Sequence, residues 1–167
     1  MLQRKQTVFY LIAIVALLIP LANFSLVTFT KVAEDGNQAI PWEQRITLFG
    51  NEGAESAQAA GIDAISDMPL FILNLVVVLL LVVTIFSFRK LANQARLGRI
   101  SLYATLISIG VLAFAIYNDY QYTRVLKPFM DLGLVVHFFV IAVLFILAGN
   151  WGVRSDQKLL ASVDRIR

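Results

Sequence analysis

One histidine and two asparagines are the side chains best able to do chemistry inside the long apolar stretches of this chain. His137 is the only histidine among 167 residues, and valines, phenylalanines and isoleucines surround it. An imidazole in such a setting is either a working group within a membrane or a polar group satisfied by a neighbour. Asn23 and Asn74 lie in two other apolar stretches.

Four uncharged runs are long enough to be the helices that carry these residues. They cover residues 6–30, 68–88, 100–118 and 132–153, with 25, 21, 19 and 22 residues. About 20 apolar residues in a helix cross a bilayer core of about 30 Å, and a helix satisfies its own backbone in lipid. The pattern predicts an all-α integral membrane protein. Its domain is a four-transmembrane-helix bundle over residues 1–153, with spans at about 8–29, 69–88, 100–118 and 132–151.

The composition agrees with lipid as the main solvent. Hydrophobic residues make up 59% of the chain and charged residues 15%, whereas soluble domains have roughly 45–50% and roughly 25%. The net charge of +3 does not indicate nucleic acid, because the basic residues are scattered beside apolar runs. The expected partner is therefore the bilayer, with no nucleic acid.

Several kinds of site are missing from the sequence. There is no cysteine, so disulfides and thiolate ligands are excluded, and one histidine cannot form a His-rich metal site. No residue with a fixed charge lies inside a predicted span, which argues against an ion-coupled transporter, a membrane protease or a metal-dependent enzyme. We therefore expect a protein that is not an enzyme and has no cofactor and no metal.

The distribution of lysine and arginine predicts the orientation. The N-terminal tail, the loop 89–99 and the C-terminal tail hold ten of the 14 basic residues. By the positive-inside rule these segments are cytoplasmic, so both termini are inside and the protein is multi-pass. The first run is longer than a signal-peptide core and no A-x-A site follows it, which favours a retained span.

The first outer loop, residues 31–68, is long and acidic. Its early part contains two β-like runs, "SLVTFTKV" and "QRITLFG", separated by turn chemistry. These runs predict a small extracytoplasmic β-hairpin after the first helix. The loop either caps the bundle or presents a docking surface to another protein.

The depth of the three polar residues suggests a common layer. Asn23, Asn74 and His137 each lie about five residues, or roughly 7–8 Å, from the outer end of their span. We predict that they form an interhelical polar layer in the outer half of the bundle, where side-chain hydrogen bonds join helices. The alternatives are a small outward-facing pocket or a contact with a partner's helix.

The tail 154–167 has the pattern of a separate amphipathic helix. Ser155 or Asp156 would begin it, and its apolar and basic residues lie side by side. Such a helix either rests on anionic headgroups or packs on the cytosolic face of a partner. The candidate contact residues are Lys158, Leu159, Leu160, Val163, Arg165 and Ile166.

The two ends of the chain also carry a resemblance. "MLQRKQTVFYLIA" at the start and "KLLASVDRIR" at the finish, around four spans with a long first outer loop, resemble a family of small bacterial inner-membrane proteins catalogued only as a domain of unknown function. The resemblance implies a four-helix protein of the bacterial inner (cytoplasmic) membrane. It implies no activity, substrate or catalytic residue.

These observations favour an accessory or scaffolding subunit of a larger membrane complex, one that handles export, insertion or envelope assembly. Other membrane-protein subunits are then the expected partners. One alternative is a small binding or transport protein whose outer pocket is lined by Asn23, Asn74 and His137. Another is a membrane enzyme with His137 as a base, which would lack an orienting carboxylate within the membrane.

Overall fold

Four helices and four short strands make up the part of the chain that the computed structural model describes, which is residues 3–22, 25–31, 42–48, 51–53, 68–123 and 129–164. The helices are α1 (Gln3–Leu18), α2 (Met68–Phe86), α3 (Leu91–Thr123) and α4 (Leu134–Asp164). The strands are β1 (Val27–Lys31), β2 (Trp42–Ile46), β3 (Asn51–Gly53) and β4 (Phe129–Leu132). Single turns of 3₁₀ helix, Pro20–Ala22 and Ser87–Arg89, follow α1 and α2.

Each helix buries a narrow stripe of side chains that recur every three or four residues. This spacing places them on one face of a helix. On α1 the stripe is Gln6, Tyr10, Ala13 and Leu17, and on α4 it is Val135, Phe139, Ala142, Ile146 and Val153. The buried stripes meet in a single core.

The stripe of α3 is polar and small instead. Ser101, Thr105 and Ser108 are buried, and each hydroxyl donates to a carbonyl four residues earlier in the same helix, at 2.8–3.0 Å. These hydroxyls therefore need no partner on another helix. Small residues at such positions let neighbouring helices approach closely.

The four helices form a ring. α1 packs mainly on α4, α3 packs on both α2 and α4, and a smaller contact joins α1 to α2. α1 and α3 begin, and α2 and α4 end, at the same end of this ring. We call it the basic end, because its exposed residues include Lys5, Lys90, Arg96, Arg99, Arg154 and Lys158.

The opposite end, the sheet end, carries a four-stranded sheet in the order β3-β2-β1-β4. β1 pairs with β2 in antiparallel register, with Val27 opposite Ile46, and this pairing confirms that the predicted strands form a small sheet after the first helix. β4 pairs with the other edge of β1, with Val27 opposite Leu132. The sheet is larger than predicted because it also contains β3, which pairs with β2, and β4, which comes from the loop that precedes α4.

Gly133 connects β4 to α4 at a close approach of two backbones. Its N–H donates to Leu26 O at 2.8 Å. A Cβ at this position would lie 2.3 Å from Ser25 O, a backbone atom that cannot move aside cheaply. The glycine therefore permits α4 to begin directly against the start of β1.

Three predicted boundaries differ from the structure. The first span was expected over about 8–29, but α1 ends at Leu18, because Pro20 lacks an N–H and disfavours helical backbone in the residue before it. The tail was expected as a separate helix over 154–167, but α4 continues unbroken to Asp164. The loop predicted at 89–99 is also mostly helical, since α3 begins at Leu91.

Three helices are long and apolar enough to cross a membrane by length and composition. The qualifying segments are Lys5–Ala22, Leu91–Tyr117 and Leu134–Ser162, whereas the apolar part of α2, Leu70–Phe86, is shorter. All four helices also expose large apolar side chains. Examples that are more than half exposed are Leu11, Ile72, Leu79, Phe114 and Leu144.

Candidate functional site

Of the two described residues of the predicted polar layer, Asn74 and His137, the structure joins only Asn74 to a neighbouring helix. Its side chain is buried on α2, and Nδ2 donates to Leu17 O at the end of α1 at 2.9 Å. Its Oδ1 is buried and has no hydrogen-bond partner within the described residues. Asn23 lies outside the described residues.

His137 is placed differently from the prediction. Its side chain is exposed on the outside of α4, and Nδ1 lies 3.3 Å from Leu134 O of the same helix. The interpretation of His137 as an interhelical hydrogen-bonding group is therefore wrong. The physical reason is its position on the helix: the buried stripe of α4 runs through Val135 and Phe139, and His137 lies between them in sequence on the opposite side.

The candidate contact residues of the tail lie on the last turns of α4. Lys158, Leu159 and Leu160 are exposed, with the two leucines about half exposed, at 53% and 55%. The side chain of Val163 and the residues Arg165 and Ile166 lie outside the described part of the chain. The described leucines thus extend the apolar surface of α4 beyond its last buried residue, Val153.

A buried hydrogen-bonded network occupies the basic end, where the sequence did not indicate a site. Tyr10 OH donates to Asn150 Oδ1 at 2.9 Å, and Asn150 Nδ2 donates to Gly98 O at 3.0 Å. The three residues come from α1, α4 and α3. One asparagine therefore links three helices, using both ends of its amide.

Gly98 is required at the centre of this network. A Cβ there would lie 2.0 Å from Asn150 Oδ1 and 2.7 Å from Tyr10 OH. Both side chains would have to move, and their hydrogen bonds would be lost. The absence of a side chain at Gly98 is thus what lets Asn150 reach the backbone of α3.

Glutamines extend the network toward the helix ends. Gln6 on α1 donates through Nε2 to the Asp156 carboxylate on α4. Gln157 on α4 donates through Nε2 to Leu91 O, at the first turn of α3, at 2.9 Å. Two more buried oxygens, Gln6 Oε1 and Gln94 Oε1, have no partner among the described residues. The cluster consists of amides, one phenol and the Asp156 carboxylate, which are joined by hydrogen bonds.

A groove opens beside the network, between α3 and α4. Its volume is about 490 Å³, and Asn150 forms part of its wall. Two arginines, two aromatic side chains and apolar residues complete the lining, chiefly Arg99, Leu102, Tyr103, Leu147, Trp151 and Arg154. The groove therefore combines positive charge with apolar surface on the outside of the bundle.

The described residues contain no group of three or more His, Cys, Asp or Glu that could hold a metal ion. In a comparison with known protein families, the chain matches a domain of unknown function, DUF4293, over residues 2–166. The chain belongs to the DUF4293 family. This match confirms the resemblance that the terminal motifs suggested. No curated protein matches the chain.

The polar network of this DUF4293 chain left a weak signal in the sequence. Gln6 and Tyr10 are four residues apart, as are Gln94 and Gly98, so each pair lies on one helical face. Asn150 has Gly149 before it and Gly152 close behind it, in the pattern of small residues where helices pack closely. The signal was missed because these residues lie among charged ones at the ends of the predicted spans.

Proposed function

We propose that this chain is a four-span membrane protein with its basic end in the cytoplasm of a bacterium and its sheet end outside the inner membrane. Support comes from the large apolar side chains exposed on all four helices, with amides and hydroxyls buried between them. α2 serves as the fourth span, because its 19 residues extend about 29 Å, close to the thickness of a bilayer core.

The orientation rests on the exposed lysines and arginines of the basic end. Since the chain has no cysteine, single cysteines can report it. A cysteine at Ser162 should be protected from an impermeant thiol reagent added outside, and one at Gly53 should react. The opposite pattern would reverse the topology.

Within the membrane the protein acts as a non-enzymatic accessory or scaffolding subunit of a larger complex, of the kind that handles export, insertion or envelope assembly. The observation that carries this proposal is the exposed pair Leu159 and Leu160. α4 has 31 residues and is about 46 Å long, which exceeds a core of about 30 Å. The last turns of α4 then extend into the cytoplasm, where exposed leucines are best covered by a partner subunit.

The test is purification of the full chain in mild detergent from its native cells, with mass measurement of the intact complex. We expect a partner in fixed stoichiometry with the wild type. The double variant Leu159→Ser/Leu160→Ser should lose it, and Ala161→Ser, an exposed neighbour on the same turns, should retain it. A wild-type protein that runs alone contradicts the proposal.

Protease treatment of isolated membranes separates this role from anchoring of the C-terminal tail to lipid. If the leucine variant keeps its partner but its tail becomes sensitive to protease at the membrane surface, the tail covers headgroups and the subunit contact lies elsewhere. An outward-facing pocket is not favoured as a second function, because Leu17 O holds Asn74 and His137 faces away from the core.

A further inference from the structure

The groove between α3 and α4 has the chemistry of a lipid headgroup site. We propose that it binds an anionic phospholipid, with the phosphate held by Arg99 and Arg154 and an acyl chain lying along the neighbouring apolar residues. The proposal rests on the membrane placement above but does not depend on the role as a subunit. Basic pockets between membrane helices on the cytoplasmic side are suited to anionic headgroups.

The charge of the groove comes from one arginine on each helix. Arg99 and Arg154 both line it, and neither pairs with a carboxylate among the described residues. Arg99 Nε donates to Ala95 O at 3.2 Å, which steadies the side chain and leaves its terminal nitrogens available. A guanidinium binds phosphate oxygens through two parallel hydrogen bonds, so an anion in the groove would join α3 to α4.

The aromatic residues of the groove suit the level of the headgroups. Tyr103 lies one helical turn after Arg99, and Trp151 lies three residues before Arg154, so each shares a helix face with its arginine. Tyr103 is 62% exposed and Trp151 78% exposed. Tyrosine and tryptophan favour the boundary between headgroups and acyl chains, and this boundary is where a phospholipid phosphate meets its apolar tail.

The wall of the groove is held in place before any ligand binds. Asn150 contributes to it while its amide bonds to Tyr10 and Gly98. A wall fixed by three helices costs little ordering on binding. The side of the groove that would hold an acyl chain is apolar because Leu102 and Leu147 line it. These leucines give a phospholipid contacts that free phosphate could not make, so a lipid is the better match.

The experiment uses Trp151 as a reporter inside the groove. The sequence has two tryptophans, so the Trp42→Phe variant of the full chain leaves Trp151 alone. It is reconstituted in phosphatidylcholine vesicles that contain phosphatidylglycerol, with brominated acyl chains on one lipid or the other to quench nearby tryptophan. We expect an association about thirtyfold stronger for phosphatidylglycerol than for phosphatidylcholine, because each of the two basic residues near an anionic headgroup contributes about 1 kcal/mol.

Charge-neutral variants decide whether the groove is responsible. Arg99→Gln/Arg154→Gln should abolish the preference for phosphatidylglycerol. Lys90→Gln/Arg96→Gln is the matched control, since both residues are exposed at the basic end but outside the groove lining, and it should retain the preference. A preference that survives the arginine variant, or that the control also loses, overturns the proposal in favour of diffuse attraction.

Two further arms separate the possible failures. Inorganic phosphate in excess should leave the quenching pattern unchanged, and its removal of the preference would assign the groove to free phosphate. Flotation of the reconstituted protein with the vesicles tests membrane insertion independently. A protein that inserts but shows no preference refutes the lipid site alone, whereas a protein that fails to float refutes the four-span membrane proposal.

Discussion

The same pair of helices, α1 and α4, is joined at both ends of the bundle by different chemistry. At the sheet end the joining bonds belong to the backbone: β1 follows α1, β4 precedes α4, and the two strands pair in register. At the basic end the joining bonds belong to side chains, from Gln6 to Asp156 and from Tyr10 to Asn150.

This difference shows which residue types each end can tolerate. Backbone pairing depends little on side-chain identity, so the sheet end can vary as long as its strands remain extended. Side-chain amides and a phenol form a hydrogen bond only when a matching donor or acceptor lies within reach. The basic end should therefore be the more sensitive to substitution, and the following changes test that expectation in order of effect.

The largest effect is expected from Gly98→Ala. The new Cβ would displace Asn150 and Tyr10, so two buried hydrogen bonds are lost. We expect the free energy of unfolding to fall by about 2 kcal/mol, even after the roughly 1 kcal/mol that alanine gains over glycine within a helix. The measurement is reversible unfolding in detergent, followed by circular dichroism.

Gly110→Ala is the matched control for this change. Gly110 lies on the same helix, and a Cβ there would meet no atom within 4 Å. It should stabilise the protein by about 0.5–1 kcal/mol through helix propensity alone. If the two substitutions behave alike, Gly98 does not hold the helices in contact and the basic end is not specially sensitive.

A smaller effect is expected from the coupling between Tyr10 and Asn150. In a double-mutant cycle of Tyr10→Phe and Asn150→Ala, we expect a coupling energy of about 0.6 kcal/mol and not above roughly 1.7 kcal/mol, the range found for hydrogen bonds between membrane helices. Unfolding of the four proteins in the same detergent gives the value. Additive effects would mean that the 2.9 Å contact contributes nothing of its own.

The sequence predicted some of these elements better than others. Apolar runs between charged residues indicated four helices because burial in lipid requires uncharged segments of a certain length. The hairpin was predictable because its turn chemistry is local. β4 was not, since Phe129–Leu132 pairs with a strand about 100 residues earlier and such register leaves no local pattern.

The buried polar residues were harder to predict, because the rotation of each helix about its own axis determines which of its residues face the core. His137 and Asn74 were predicted at similar depths, but depth does not determine which face of a helix a residue occupies. The buried stripe of α4 passes through Asn150 and leaves His137 outside. Apolar residues also occupy the other faces of α4, where Val140, Leu144 and Leu147 are exposed. Counting by three and four therefore gives more than one apolar stripe, and the sequence did not show which one is buried.

The smallest effects are expected at the sheet end, where Asn74→Leu is compared with His137→Ala. The substitution Asn74→Leu loses one hydrogen bond to Leu17 O but also removes an unpartnered buried oxygen. We therefore expect the free energy of unfolding to fall by no more than about 0.5 kcal/mol. His137 bonds only within its own helix, and its substitution should change the free energy of unfolding less than Asn74→Leu does. The same detergent unfolding measures both. If His137→Ala lowers the free energy of unfolding more than Asn74→Leu does, the histidine contacts another helix, and side chains also join the helices at the sheet end.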